Sequence, residues 1–112
     1  MAYSGAVGFI ETPVFSDQIQ GLLSDDEYRA LQLALVLRPE QGALIRGSGG
    51  LRKLRWALGG KGKRGGLRVI YYWDSEDGVI YLLFLYPKNE QESLTPDQLK
   101  QLRRIVVEED LK

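Results

Sequence analysis

Eight lysine and arginine residues in the middle of the chain are the residues best suited to chemistry. They lie between Gln41 and Trp73, a stretch without aspartate or glutamate, and are Arg46, Arg52, Lys53, Arg55, Lys61, Lys63, Arg64 and Arg68. These are eight of the fifteen basic residues, so the rest of the chain holds seven basic and fifteen acidic ones. A local group of cations without counter-charges favours a polyanion, for which the phosphodiester backbone is the obvious candidate.

The absence of histidine and cysteine removes several kinds of chemistry. A serine hydrolase normally needs an imidazole base, a thiol enzyme needs a thiolate, and zinc sites usually need cysteine or histidine ligands. The acidic residues Asp74, Glu76 and Asp77 fall in a predicted turn, and the Gly59 to Gly66 segment lacks the Gly-Lys-Ser/Thr ending of a nucleotide-binding loop. We therefore expect no metal and no cofactor.

The basic stretch has the residue types that RNA cleavage without histidine requires. Attack of a 2′-hydroxyl on the adjacent phosphate needs a base, a cation that stabilises the extra negative charge, and an acid for the leaving oxygen. Arginine is a permanent cation, and the pKa of a lysine falls when other cations surround it. A tyrosine can act as the acid or stack on a base. The same residues also fit binding without cleavage, so the pattern leaves both functions open.

The elements that position these residues follow from the hydrophobic alternation and the glycines. Leu51, Leu54 and Trp56 predict a half-buried strand, and Leu67 to Trp73 predicts a second one rich in aromatic and β-branched residues. Between them, five glycines in the eight residues from Gly59 to Gly66 predict a loop. Strands therefore carry Lys53, Arg55 and Arg68, and the loop carries Lys61, Lys63 and Arg64.

The remaining elements complete a single domain that covers residues 1–112. We predict a first strand at residues 6–12, helices at 15–23 and from the Ser24 cap to Pro39, a strand at 79–86, and a last helix that begins at Thr95-Pro96. This order predicts an α+β fold, with a small antiparallel β-sheet flanked by two N-terminal helices and one C-terminal helix. No apolar run approaches the roughly 20 residues that span a bilayer, so we expect no membrane contact. The chain has no cysteine for disulfide bonds, so we expect a cytoplasmic protein.

Three motifs in order resemble the RelE superfamily of bacterial toxins from type II toxin–antitoxin systems, in particular its HigB-like branch. They are Gly49 to Arg55 (Gly-Gly-Leu-Arg-Lys-Leu-Arg), Gly60 to Tyr72 with its Gly-Lys-Gly-Lys-Arg-Gly-Gly start, and Leu85 to Glu90 (Leu-Tyr-Pro-Lys-Asn-Glu). The resemblance covers nearly all of the chain. It implies a metal-independent, ribosome-dependent endoribonuclease that cuts mRNA by 2′-hydroxyl attack. It also implies a cognate helix-turn-helix antitoxin that neutralises the toxin and alone contacts operator DNA.

The resemblance also implies the site residues. By this resemblance the catalytic positions fall on Lys53, Arg55, Arg68 and Lys88, and Lys61, Lys63 and Arg64 match the basic loop of the HigB-like branch. RNA or ribosome binding is expected of these three loop residues and, from the charge pattern, of Arg52. The family pattern often has an arginine after the last of these catalytic lysines and a tyrosine shortly before the last helix, where this chain has Asn89 and Thr95. The proton donor is therefore unassigned, with Tyr86 and Tyr72 as candidates. Two alternatives stay open, a non-catalytic RNA- or ribosome-binding domain and a degenerate toxin that acts as an interaction partner.

Overall fold

The computed structural model describes residues 7–57 and 66–108, which form a five-stranded sheet with helices on both faces. The elements in chain order are β1 (Gly8–Glu11), α1 (Pro13–Leu22), α2 (Asp25–Leu37), β2 (Ala43–Leu44), β3 (Leu51–Trp56), β4 (Leu67–Asp74), β5 (Val79–Pro87) and α3 (Pro96–Glu108). The predicted α+β fold with two N-terminal helices and one C-terminal helix is confirmed. The loop residues Lys61, Lys63 and Arg64 lie outside the described residues.

The strand order across the sheet is β1-β5-β4-β3-β2. The β3–β4 and β4–β5 pairs are antiparallel, as predicted, and the β2–β3 pair is antiparallel as well. In contrast, β1 runs parallel to β5, with Gly8 opposite Val79 and Glu11 opposite Leu82, so the sheet is mixed. The alternation of residues within β1 does not specify its partner, which depends on where the helices return the chain. The two-residue strand β2 at the other edge was not predicted.

Each helix begins at a polar cap that is readable in the sequence. The Thr12 hydroxyl accepts a hydrogen bond from the Phe15 amide, with Pro13 as the first residue of α1. Ser24 and Glu27 form a reciprocal capping box at the start of α2. Thr95 and Gln98 exchange the same pair of bonds at the start of α3, at 2.9 and 3.1 Å. These bonds satisfy amides that lack a partner within the helix, and so fix where each helix starts.

Two apolar clusters hold the layers together, one on each face of the sheet. The cluster beneath α1 and α2 contains Phe15, Leu31, Leu35, Leu54, Val69, Tyr71, Leu82 and Leu85. The cluster beneath α3 contains Leu51, Ile70, Leu83, Tyr86, Leu102 and Val106. Strand residues alternate between the two clusters, because successive side chains of a strand point to opposite faces. The sheet is therefore buried on both faces, and the polar side chains at its ends are exceptions to this apolar pattern.

A bulge in β5 changes which side chains face α3. Ile70 is opposite Phe84, whereas the next residue, Tyr71, is opposite Leu82, so Leu83 is an extra residue in β5. The Leu83 carbonyl accepts a hydrogen bond of 2.8 Å from the Thr12 hydroxyl. Because one extra residue reverses the alternation, Tyr81 and Tyr86 both belong to the α3 side.

Candidate nucleic-acid interface

The strand register brings three of the predicted catalytic residues to one corner of the α3-facing side of the sheet. Arg55 lies directly opposite Arg68 in the β3–β4 pair, and Lys53 precedes Arg55 by two residues on the same side of β3. That side is identified by Ile70, which is opposite Lys53 and belongs to the cluster beneath α3. Directly opposite side chains of a sheet have Cβ atoms about 5 Å apart, so the two arginine side chains begin as immediate neighbours.

Lys88 joins the same corner from the end of β5. Its amide donates a hydrogen bond of 3.0 Å to the Gly66 carbonyl, which continues the β4–β5 ladder by one step. Alternation then places the Lys88 side chain on the side of Arg68 and Tyr86, which are opposite each other. Lys53, Arg55, Arg68 and Lys88 are called the cationic corner below.

Three of the four cations of this corner have no partner among the described residues. Within residues 7–57 and 66–108, the side chains of Lys53, Arg55 and Lys88 form no hydrogen bond and no ion pair. Arg55 and Lys88 are exposed and Lys53 is half-buried. Their nitrogens are therefore available to an external anion, and a phosphate oxygen matches both the charge and the donor geometry.

Arg68 differs from the other cations because it is buried. Only 7% of the residue is exposed, its Nη1 approaches the Leu67 carbonyl at 3.4 Å, and its buried Nε has no hydrogen-bond partner among the described residues. An unpaired donor of this kind costs about 1–3 kcal/mol relative to a paired one. A binding partner that accepts hydrogen bonds would recover this free energy.

Tyr86, on β5, is directly opposite Arg68 and is likewise a buried residue with an unpaired polar atom. It is 2% exposed, and its buried hydroxyl has no hydrogen-bond partner in the part of the chain that the structure describes. Burial raises the pKa of Tyr86, the positive charge of Arg68 acts in the opposite direction, and the negative charge of Glu92 adds to the increase. Two residues that are directly opposite each other thus each carry an unpaired buried polar atom, at the end of the sheet where the other cations lie.

Arg52 lies on the other face and is held by backbone oxygens. Its Nη1 donates hydrogen bonds to the carbonyls of Glu40, at 3.0 Å, and Gly42, at 2.8 Å. The opposite residue in β4 is Tyr71, whose hydroxyl donates to the Pro39 carbonyl and accepts from the Gly42 amide. The hydrogen bonds of these two side chains stabilise the connection between α2 and β2. The structure therefore does not bring Arg52 together with the cationic corner.

Sequence reasoning named Tyr86 and Tyr72 as candidate acids without placing either of them. Tyr72 is on the same side of β4 as Arg68 but four residues further along, which is about 13 Å. Tyr86 is directly opposite Arg68.

The described residues contain no group of three or more acidic side chains that could hold a metal ion. Among them, no helix has the length and apolar character needed to cross a membrane.

Comparisons with known proteins give a family match and similar solved structures. The model of the family described as the RelE toxin of the RelE/RelB toxin–antitoxin system matches residues 30–109. The free-state structure of an E. coli toxin RelE double-arginine mutant is 16% identical, covers 78% of this chain and 88% of that one, and superimposes with a TM-score of 0.55. The RelE–RelB complex from the archaeon Pyrococcus horikoshii OT3 is 23% identical and covers 76% and 98%, with a TM-score of 0.47. The similarity to the E. coli protein shows a shared fold.

Proposed function

This chain belongs to the RelE family of toxins from toxin–antitoxin systems, and from that premise we propose that it is an endoribonuclease that cuts mRNA on the ribosome. RelE family toxins are known as RNases. The single observation that supports the proposal most is the cationic corner, where strand register collects four cations on one face. Strands hold side chains more firmly than loops do, and phosphoryl chemistry depends on such fixed positions.

In the proposed reaction the cationic corner holds the scissile phosphate for in-line attack by the neighbouring 2′-hydroxyl. Arg55 and Arg68 stabilise the additional negative charge on the phosphorus oxygens, because a guanidinium presents two parallel donors to a phosphate. Lys53 is the proposed acceptor of the 2′-hydroxyl proton, and Lys88 contacts the phosphate from the β5 side. The products are a 2′,3′-cyclic phosphate and a free 5′-hydroxyl. The reaction requires no metal and no cofactor.

The other predicted residues have supporting roles in this proposal. Lys61, Lys63 and Arg64, in the glycine-rich segment, bind phosphates of the ribosome or the message. Their resemblance to the basic loop of the HigB-like branch supports the proposal that the chain belongs to that branch. Arg52 has its donors directed at two backbone carbonyls, which supports a structural role instead of RNA contact. The proposed partner is a cognate helix-turn-helix antitoxin that neutralises the toxin in the cytoplasm and provides the only contact with operator DNA.

Cleavage mapping in a reconstituted translation reaction tests the function. The chain is added to ribosomes stalled on a defined mRNA, and new 5′ ends are mapped with and without ribosomes. We expect ribosome-dependent cuts that Arg68→Gln reduces about 10²- to 10³-fold, the usual effect of removing a charge-stabilising donor. Arg29→Ala is the matched control, because Arg29 is an exposed arginine on α2, behind the sheet. Equal activity of the two variants, or the absence of new 5′ ends with the unmodified chain, contradicts the proposal.

One observation favours the alternative of RNA or ribosome binding without cleavage. Thr95 occupies the position where the family pattern often has a tyrosine, and its hydroxyl is used as the cap of α3. A non-catalytic domain would protect ribosomal or messenger RNA from chemical probes in the same assay without producing new 5′ ends. A degenerate toxin would bind its antitoxin and leave the RNA uncut and unprotected.

A further inference from the structure

The pair formed by Arg68 and Tyr86 is the strongest unexplained feature of the described residues. The two side chains are opposite each other in the β4–β5 pair, on the face that carries the other three cations. Both are more than nine-tenths buried, and Arg68 Nε and the Tyr86 hydroxyl are the two buried side-chain atoms without a partner in the described part of the chain. Buried polar atoms are nearly always paired, so two adjacent exceptions indicate a place where a ligand completes the bonding.

We propose that the Tyr86 hydroxyl is the proton donor to the leaving 5′-oxygen during RNA cleavage. This proposal rests on the proposed nuclease function. It assigns the proton donor, a role that is open because Thr95 stands where the family pattern often has a tyrosine. Tyr86 is in this view a catalytic residue, because its hydroxyl contacts the reacting oxygen. Arg68 holds the phosphate beside it.

The other described tyrosines are engaged elsewhere or too distant. The Tyr28 hydroxyl donates to Glu11, and the Tyr71 hydroxyl is bonded to Pro39 and Gly42 on the opposite face of the sheet. Tyr72 and Tyr81 are opposite each other near the other end of the β4–β5 pair. Tyr86 alone among the described tyrosines combines an unpaired hydroxyl with a position directly beside Arg68.

The proposed step balances without any further reactant. The 2′-oxygen forms a bond to phosphorus as the bond between phosphorus and the 5′-oxygen breaks. The 2′-hydroxyl proton passes to a base, proposed above as Lys53, and the Tyr86 proton passes to the 5′-oxygen. The resulting tyrosinate lies next to the Arg68 guanidinium, whose charge already opposes the burial-induced rise in the pKa of Tyr86. Water then returns a proton to the tyrosinate and accepts the proton from the base.

The connection from β5 to α3 must shift for this contact to form, since Tyr86 is 2% exposed. Leu94 packs in the same apolar cluster as Tyr86, and Glu92 is close enough for its charge to raise the pKa of Tyr86. Residues 88–95 contain only turns, bends and irregular backbone, and Lys88, Asn89 and Glu90 are exposed. Displacement of residues 91–95 by RNA would bring the leaving oxygen to the hydroxyl, while the bond from the Lys88 amide to Gly66 keeps Lys88 in the cationic corner.

A leaving-group substitution distinguishes a proton donor from a structural tyrosine. The Tyr86→Phe protein is compared with the unmodified protein on ribosome-bound mRNA carrying either the natural linkage or a bridging 5′-sulfur at the cleavage site. A thiolate leaves without protonation. We therefore expect Tyr86→Phe to slow cleavage of the oxygen linkage about 10²- to 10⁴-fold, and to leave cleavage of the sulfur linkage at the rate of the unmodified protein.

Tyr72→Phe is the matched control, because Tyr72 has the same side chain on the same face, away from Arg68. We expect it to cut both linkages at the unmodified rate. The inference is overturned if Tyr86→Phe slows both linkages equally or slows neither. Failure of the unmodified protein to cut either linkage overturns the nuclease function itself, which is a separate result. The urea midpoint of Tyr86→Phe should equal or exceed that of the unmodified protein, because the hydroxyl has no partner among the described residues; a lower midpoint counts against the inference.

Discussion

Arg55 and Arg68 lie directly opposite each other in the β3–β4 pair, on the face that α3 covers. Like charges in this position repel each other and destabilise a sheet. The described residues offer no carboxylate partner to either guanidinium. A folded protein that retains such a pair has cations arranged for an external anion at some expense of its own stability.

Arg55→Gln should therefore stabilise the free protein and weaken RNA binding. Removing one of two opposed charges should raise the unfolding free energy by a few tenths of a kcal/mol, to about 1 kcal/mol at most. Urea denaturation at low salt measures this gain, which 1 M salt should largely remove by screening.

The salt dependence of RNA affinity tests whether Arg55 contacts a phosphate. If Arg55 neutralises one phosphate, the log–log slope of affinity against salt should decrease by about 0.7 for single-stranded RNA. Arg29→Ala, on α2, should leave that slope unchanged. An unaltered slope for Arg55→Gln would remove Arg55 from the interface.

Arg52→Ala should reduce stability without reducing the activity of the folded protein. The Arg52 guanidinium donates to the carbonyls of Glu40 and Gly42, and hydrogen bonds of charged groups contribute about 1.5–3 kcal/mol each when they are well buried. Arg52 is only half-buried, so we expect a total loss of about 1–2 kcal/mol in urea denaturation. A loss of cleavage at unchanged stability would instead support the RNA contact that the sequence predicted.

Tyr71→Phe tests the same connection from inside the core. The Tyr71 hydroxyl donates to the Pro39 carbonyl at 2.7 Å and accepts from the Gly42 amide at 2.9 Å. Its removal leaves both groups of the backbone unpaired, so the unfolding free energy should fall by about 2 kcal/mol. Tyr86→Phe is the natural comparison, because the hydroxyl lost there has no partner in the described structure. Equal losses for the two variants would mean that the Tyr71 bonds contribute little.

Most of the fold was predictable because its boundaries depend on local residues. The caps at Ser24 and Thr95 mark the starts of α2 and α3, and the glycine-rich segment after Trp56 separates β3 from β4. The parallel partner of β1 was not predictable, since pairing between distant segments depends on the path of the helices.

The site was only partly predictable, for a specific reason in each case. The bulge at Leu83 reverses the alternation of β5, so no reading of alternate residues could place both Tyr81 and Tyr86 on the α3 side. The position of Arg52 had a usable signal, because strict alternation places it with Leu54 and Trp56, away from Lys53. Its carbonyl partners come from the α2–β2 connection and needed the structure.

Stability should decline at high pH, with Tyr28 as one contributor. Burial is the largest of the causes that raise the pKa of Tyr28 well above its ordinary value of 10. The hydrogen bond to Glu11 and the negative charge of Glu11 add to this increase. The folded state therefore keeps a proton that the unfolded state loses from about pH 10 upward, so stability is complete below pH 10 and is lost as pH rises through that range.

Urea midpoints from pH 8 to 11.5 measure the Tyr28 contribution. One proton of difference corresponds to a slope of at most about 1.4 kcal/mol per pH unit, and Tyr28→Phe should flatten the alkaline decline by up to that amount. The variant also loses the bond to Glu11, which lowers its stability at pH 8 without changing the slope. An equally steep decline in Tyr28→Phe would assign the effect to the other tyrosines.

Gly66→Ala should destabilise the protein more than Gly47→Ala does, because Gly66 is both conformationally special and crowded. Both glycines have positive φ, +90° at Gly66 and +74° at Gly47, so each alanine carries the left-handed penalty of about 1–2 kcal/mol. A Cβ at Gly66 would also lie 3.1 Å from the Trp56 carbonyl oxygen, whereas a Cβ at Gly47 would meet nothing within 4 Å. The difference between the two variants in urea denaturation therefore isolates the crowding at Gly66.

Because the Gly66 carbonyl accepts a hydrogen bond from the Lys88 amide, any shift of Gly66 should also lower RNA cleavage by Gly66→Ala, while Gly47→Ala retains full activity when folded. Equal stability and equal cleavage in the two variants would show that the end of β4 tolerates the shift and that Lys88 does not depend on it.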